Sequence, residues 1–404
     1  RDVERSRGLG DVYKRQYDTL LNIVSYGLPI LMLQLLVFPF IAKEWGVTEY
    51  GEMLALTAII NVAAEMVGGT LANVRLIKEE EYKNKGIVGD YKRLFILGAS
   101  TFLIILLFVS NLLFKQDTYC LVLLSSYYLL FTLRSYLSVS YRIILNYKSV
   151  FINNILLCVG YGIGLGMSPI FHHWAYVFII GYTLAIVHIL FTTRIWQEPF
   201  NKTEFYSATR NKYISLSGAY LVGNSMNYFD RIFLMATIGA TGVSNYYISG
   251  VFGKVLNLLT APINMVMLSY LSKKKSIAAH EIITSIVLLL GLVSLFVFAA
   301  NLFALNVIQM LYPDYVDKAR PLVLICTLAT VLTACTSFFK TLSMRYNSGK
   351  SVLLTEIVYI ISYLGLAVSF TTHWGVKGFC WSIIIAAVIR ISSFTVLLLK
   401  KSHV

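Results

Sequence analysis

The sequence predicts an all-α integral membrane protein: twelve transmembrane helices in two parallel six-helix lobes around a central cavity, with both termini in the cytoplasm. Three observations predict it: a large apolar excess, twelve hydrophobic runs of bilayer length, and short motifs that return about 200 residues later. Of 404 residues, 57% are apolar and 13% charged, with a mean hydropathy of +0.70. Soluble domains carry about 45–50% apolar and about 25% charged residues. A compact soluble fold has too little core to hide this excess, so a water-soluble enzyme is excluded first. The net charge of +14 would suggest nucleic acid in a soluble chain; here it reads as topogenic charge on the cytoplasmic side, and no nucleic-acid partner is expected.

Residues 1–16 hold eight charged residues, no apolar period and Arg at position 1. With no hydrophobic region the stretch is not a signal peptide, and it reads as a non-native leader joined to the chain. It contributes five basic and three acidic residues, so without it the net charge falls from +14 to +12.

A bilayer core of about 30 Å needs about 20 apolar residues in a helix. Runs of that length lie at 20–42, 53–74, 94–114, 118–140, 150–170 and 175–193, then 213–239, 245–271, 281–301, 319–340, 351–370 and 377–399. Continuous runs such as residues 95–114 exclude the ten-residue alternation of a membrane β-barrel. Connections after even-numbered spans, with the C-terminus, carry twenty Lys and Arg, including Arg75, Lys78, Lys83, Lys85, Lys92, Arg93 and the run Lys273, Lys274, Lys275. Those after odd-numbered spans carry five: Lys43, Lys115, Lys318, Arg320 and Lys377. The bias places both termini inside. Trp45, Trp174 and Trp374 fall at outer connections, as an interfacial aromatic belt would place them.

The halves echo each other. Gly46-Val47-Thr48-Glu49-Tyr50 returns as Gly242-Val243-Ser244-Asn245-Tyr246, Lys148-Ser149-Val150 as Lys350-Ser351-Val352, and His173-Trp174 as His373-Trp374. The offsets are 196, 202 and 200. Three matches in order predict a duplicated six-span unit, with lobes at 17–200 and 201–404. An even number of spans per unit makes the repeats parallel.

No connection is long enough for a nucleotide-binding domain, and Gly349-Lys350-Ser351 lacks the first glycine of a phosphate loop, Met344 standing there. The five cysteines, Cys120, Cys158, Cys326, Cys335 and Cys380, lie in apolar runs and suggest neither disulfides nor a metal site. Adjacent His172 and His173 cannot both chelate easily and read as interfacial. Asn201-Lys202-Thr203 matches a glycosylation acceptor, which means nothing on the predicted cytoplasmic side. No cofactor is expected. A membrane glycan polymerase or transferase would need catalytic groups gathered at one face, and the short loops offer no such set.

Seven ionisable residues fall inside predicted spans: Glu65, Arg134, Asp230, Arg231, Lys254, Glu356 and Arg390. A charge at a helix centre costs about 2.5–3.5 kcal/mol on insertion scales, so such groups face a bundle interior or a watery path. Counting residues from span ends puts Glu65 and Arg390 near the midplane, Arg134 in the inner half, and Asp230, Arg231 and Lys254 in the outer half. Glu356 stands near the inner end of its span. Pairing of Asp230 with Lys254, or Glu65 with Arg390, is the structural alternative. Arg134, Arg231, Lys254 and Arg390 are the candidate cavity cations for an anionic head group. Glu65 and Asp230 are candidate pairing or ion-coupling carboxylates. Tyr220, Asn224, Asn227, Tyr228, Asn153 and Asn154 could hydrogen-bond a sugar.

Gly27-Leu28-Pro29, Phe38-Pro39-Phe40-Ile41-Ala42-Lys43 and Gly46-Val47-Thr48-Glu49-Tyr50-Gly51-Glu52 resemble the start of polysaccharide-biosynthesis flippases of the Wzx type. Asp230-Arg231-Ile232-Phe233-Leu234 with Gly239, Met310-Leu311-Tyr312-Pro313-Asp314-Tyr315 and Trp374-Gly375-Val376-Lys377-Gly378 fit the same family. The resemblance covers residues 17–404 and carries over only the pair Asp230 and Arg231. It implies a two-lobed O-antigen flippase of the multidrug/oligosaccharidyl-lipid/polysaccharide superfamily in the bacterial inner membrane. Such a protein moves an undecaprenyl-pyrophosphate-linked oligosaccharide across the lipid bilayer for O-antigen or capsule assembly, with polymerase and chain-length proteins as pathway partners. A cation-coupled multidrug exporter of the same superfamily is the alternative, although span 1 lacks the acidic residue such exporters often carry.

Overall fold

The computed structural model describes residues 21–254 and 278–402. The leader tract, most of the eighth apolar run and Lys273, Lys274 and Lys275 lie outside the described residues, as does the side chain of Asn224. Among the described residues the secondary structure is helical throughout. Helices follow the order of the twelve apolar runs, and the labels α1 to α12 follow that order.

The stretch Leu21–Asn84 is one helical run of 64 residues, bent at Gly46 (φ 78°) into α1 (21–45) and α2 (47–84). Next come α3 (Tyr91–Phe114), α4 (Thr118–Leu137, continued by Val139–Ile143), α5 (Tyr147–Met167), α6 (Ala175–Thr192) and α7 (Tyr206–Thr237). Then α8 (Ala240–Ser249), α9 (Ala279–Leu311) and α10 (Val323–Tyr346) follow. The final run, Gly349–Ser402, is bent at Gly375 (φ 57°) into α11 (349–374) and α12 (376–402). At 1.5 Å per residue, a straight 64-residue helix would be about three bilayer cores long. The left-handed glycines are what turn each long run into two crossings, since a side chain there would strain the backbone. Among the described residues, eight helical runs are long and apolar enough to cross a membrane, two of them twice, so the chain is a multi-pass membrane protein.

The chain forms two compact units, divided after Ala236. The sequence places the boundary at residue 200, which would leave α7 with the second lobe. Instead α7 is tied to the first unit through the segment before it. Arg75 on α2 donates to Tyr136 at 3.0 Å and to Glu198 at 2.8 Å, with a second, shorter bond to the same carboxylate. Asp90, fully buried, accepts from Thr203 N at 2.8 Å and Tyr82 at 2.7 Å. Tyr82 also bonds Thr209 on α7. A buried carboxylate met by several donors holds its partners firmly, because freeing any of them strands a charge.

The first unit's interior is aromatic. Tyr127 stacks on Phe178 at 4.7 Å and Phe131 on Tyr182 at 4.8 Å, joining α4 to α6. Nearer the basic helix ends, Tyr91, Phe95, Tyr136, Tyr141 and Tyr213 share one core. Trp174, expected in an interfacial belt, is buried instead and packs edge-on to Phe178; Trp374 is 60% exposed. The second unit's core joins α9, α10, α11 and α12 through Ile282, Phe339, Leu342, Val352, Phe394 and Leu398. Large apolar side chains on outward faces are exposed, among them Phe108, Phe191, Leu288 and Phe298, as lipid-facing surfaces require.

Helices α5 and α6 approach backbone to backbone at Gly160, where an added Cβ would stand 2.5 Å from Gly181 Cα. Small residues permit this close packing where no hydrophobic effect drives association. Gly160→Leu should therefore cost about 1–3 kcal/mol by overpacking and lower the melting temperature of the purified protein in detergent. A melting curve unchanged by the substitution would refute this contact.

Candidate functional site

The clearest polar site in the first unit is a cavity of about 460 Å³ between α1, α2, α4, α5 and α7. Glu65, Arg134, Arg142, Asn153, Asn154 and Tyr220 are among its lining groups. Glu65 opens a π-helical turn, Glu65–Gly69, within α2. Such turns insert one residue into an α-helix and recur at functional sites, because they re-aim a side chain. The carboxylate folds back over Gly69, where an added Cβ would collide with Glu65 Oε2. Ser135 Oγ donates to Glu65 Oε1 at 2.9 Å, and the Tyr220 hydroxyl hydrogen-bonds the same carboxylate.

Arg134 lies one helical turn before Leu137, where the first segment of α4 ends. Its Nε donates to Asn153 Oδ1 at 3.2 Å and its Nη2 donates to Asn154 Oδ1, while its guanidinium lies 5.8 Å from the Tyr182 ring. Both asparagines are buried, and Asn153 Nδ2 donates to the Ala185 carbonyl at 2.7 Å. Arg134 and Arg142 both lie close enough to act electrostatically on Glu65. Two guanidiniums against one carboxylate give the lining a positive excess, and amides, hydroxyls and tyrosines surround it.

Counting residues separates Glu65 from Arg134 in depth; the structure brings them into one cavity because the π-turn directs the carboxylate toward α4. Arg142, Ser135, Ser138, Tyr141 and Asn73 also line it, and a search confined to charges within apolar spans misses them. The signal is there: Ser135, Ser138 and Arg142 stand at i, i+3 and i+7, one polar stripe on the end of α4.

The other candidates stand elsewhere. Asp230 and Arg231 lie near the end of α7; Asp230 Oδ1 accepts from the Arg231 backbone N–H at 2.9 Å, and the Arg231 guanidinium lies 5.4 Å from the Tyr228 ring. In the second unit, Lys254 Nζ sits over the Tyr247 ring, 2.9 Å from its centroid, and 5.5 Å from that of Tyr246. Arg390 on α12 grips Glu356 on α11 through bonds of 2.6 and 2.8 Å, and donates to Thr336 on α10 at 2.9 Å. Its guanidinium lies 4.5 Å from the Tyr359 ring, and Lys340 stands 3.5 Å from the Glu356 carboxylate. Glu356, interfacial by residue count, is thus the carboxylate that answers Arg390.

A second cavity of the first unit, about 320 Å³, lies at the opposite helix ends and is lined by Glu49, Glu52, Asp117, Tyr119, Cys120, His172 and His173. His173 Nδ1 accepts from Ala175 N at 3.1 Å, so its neutral ring carries the proton on Nε2, which lies 3.4 Å from Cys120 Sγ. Both nitrogens are thereby engaged in closing the α5–α6 connection. Burial pushes the His173 pKa down to about 4, with Asp117 opposing the shift.

No known protein-family profile matches the chain, and no curated protein matches it in sequence. Solved structures do match over nearly its full length. The lipid II flippase MurJ in an inward closed conformation superposes with a TM-score of 0.70 at 15% identity, covering 95% of this chain and 90% of that one. An inward-facing multidrug resistance MATE family transporter of the MOP superfamily gives 0.67 at 14%, covering 95% and 98%. The Vibrio cholerae MATE transporter VcmN in the bent form gives 0.53 at 13%, covering 97% of each chain.

Two outcomes are expected from this geometry. Gly69→Ala should displace the Glu65 carboxylate and shift the melting temperature of the purified protein as Glu65→Gln does; an unchanged melting curve for Gly69→Ala beside a shifted one for Glu65→Gln would show that the carboxylate does not need that space. Because the folded pKa of His173 is lowered, the opened loop binds more protons between pH 6.5 and about 4. The stabilisation is complete above pH 6.5 and is lost as pH falls through that window. Melting temperatures of the parent should drop from pH 7 to 5 more steeply than those of His173→Gln, and parallel slopes would refute the assignment. By fold, this chain is similar to the lipid II flippase MurJ and to a MATE family transporter of the MOP superfamily, and at 14–15% identity that likeness is one of fold.

Proposed function

We propose that this protein is a lipid-linked oligosaccharide flippase of the bacterial inner membrane. It carries an undecaprenyl-pyrophosphate-linked O-antigen or capsule repeat unit from the cytoplasmic to the outer leaflet by alternating access between two lobes. The observation that carries the reading is the first unit's cavity, where Arg134 and Arg142 face one carboxylate among amides and hydroxyls. Guanidinium forks suit phosphate oxygens, and the amides and tyrosines suit sugar hydroxyls. The lipid tail stays in the bilayer while the charged head crosses. Arg134, Arg231 and Lys254 are the cations assigned to the head group, and Arg390, gripped by Glu356, supports the packing of α11 against α12. The likeness to a lipid II flippase supports a lipid-linked cargo.

A second reading, cation-coupled multidrug export, has its own support in the Glu65 carboxylate on its π-turn and in the likeness to MATE transporters. Alanine at Arg134, Arg231 or Lys254 should reduce surface glycan at least tenfold in a strain that depends on this protein. Full export by all three variants would overturn the flippase reading. Drug resistance that requires Glu65, together with unimpaired glycan export, would establish the second.

The proposed orientation puts both termini in the cytoplasm. In a chain whose five cysteines are replaced, a cysteine at Lys85 should be shielded from an impermeant maleimide added to intact cells, and one at His172 should be labelled. The reverse pattern would invert the topology.

A further inference from the structure

The two units use the same helix start to different ends. Helix α5 is capped by Asn146, whose Oδ1 accepts from Ser149 N at 3.1 Å. Helix α11 is capped by Ser348, whose Oγ accepts from Ser351 N at 3.2 Å. Lys148-Ser149-Val150 and Lys350-Ser351-Val352 follow these caps, and both valines are buried. Cap against cap sets the register at an offset of 202, which is 348 minus 146. Eight residues past its cap α5 carries Asn154, and eight past its own α11 carries Glu356.

Each of these residues meets a guanidinium, supplied by a different helix in each unit. Asn154, with Asn153, accepts from Arg134 of α4. Glu356 accepts two bonds from Arg390 of α12, with Lys340 beside the same carboxylate. An amide oxygen orients the fork without pairing its charge, whereas the Glu356 carboxylate pairs the charge of Arg390 directly, with Lys340 as a second cation on the same group. The bonds to Asn153 and Asn154 use two of the five N–H groups of Arg134, which leaves three for a ligand in the cavity that Arg134 lines. Glu65 acts on this charge from across the cavity, while Ser135 and Tyr220 hydrogen-bond its carboxylate.

We infer that the first unit holds an open anion site and the second a filled copy of it, in which Glu356 takes the place that an anionic ligand takes beside Arg134. The neutral side chain at Asn154 is the residue that decides the difference. That the anion is a diphosphate head group rests on the flippase reading above; the open site itself rests on the comparison of the two units.

The contrast between Asn154→Glu and Asn154→Gln tests this, because the two side chains have the same length and differ in charge. With the purified full chain in detergent and inorganic pyrophosphate as the probe, calorimetric titration should give an affinity at least tenfold weaker for the Glu variant. Equal affinities for the two variants, or a parent chain that does not bind pyrophosphate, would overturn the inference. If Asn154→Glu does not purify, Asn153→Glu against Asn153→Gln reads the same contrast from the neighbouring amide, with the same two outcomes. Charge-dependent pyrophosphate binding in a chain whose Asn154→Glu variant exports glycan normally would keep the anion site and overturn the flippase reading. Equal affinities with export abolished by Arg134→Ala would do the opposite.

Discussion

The arrangement depends on what a guanidinium requires among apolar helices. Its charge cannot be shed, since Arg stays protonated at any accessible pH, and stranding it in a low-dielectric interior costs several kcal/mol. Each buried or half-buried arginine therefore recruits the helices around it. Arg75 draws the segment before α7 onto the first unit through Glu198 and Tyr136. Arg134 holds α4 to α5 through two amides. Arg390 holds α12 to α11 and α10 through Glu356 and Thr336. The three partners differ in kind, and that difference separates a structural tie from a site with charge to spare.

Around these polar ties the packing is permissive. Aromatic rings stack between α4 and α6, and Gly160 lets α5 and α6 touch at the backbone. Outward faces are apolar, because polar groups exposed to hydrocarbon would cost several kcal/mol each. Within each unit, buried polar bonds tie the helices into a group, and the two longest helical runs bend at Gly46 and Gly375. The glycine bends also set where the long runs reverse.

Much of the fold is legible in the sequence. The apolar runs foretell the helices and their order, because a bilayer demands about 20 apolar residues for each crossing. Their ends are less legible: α2 runs on to Asn84 through a charged stretch, since a helix can leave the membrane without stopping. The candidate site is legible in part. Arg134, Glu65, Asn153 and Asn154 stand out as polar groups in apolar runs, and the structure brings those four into one cavity. Arg142 reads as a loop charge, because α4 continues past the apolar run that defines it. Trp174 reads as interfacial from its place in a connection, yet that connection folds inward over His173 and Cys120.

The sequence by itself determined the number and order of the helices, the asymmetry of basic residues between their ends, the internal echo of the two halves, and the charges that had to be buried. Those follow from hydropathy and spacing, which are properties of the chain read one residue at a time. Only the tertiary structure decided which buried charges meet. Contacts between helices depend on how each is rotated about its axis, and one extra residue in a π-turn rotates everything beyond it by about 100°. The pairing of Arg390 with Glu356 and the neutral partners of Arg134 come from those rotations, and the attachment of α7 to the first unit comes from the bonds that Arg75 and Asp90 make to the segment before it. Asn154 and Glu356 stand at matching positions in sequence, and the difference in their chemistry acquires meaning only once a guanidinium is seen against each.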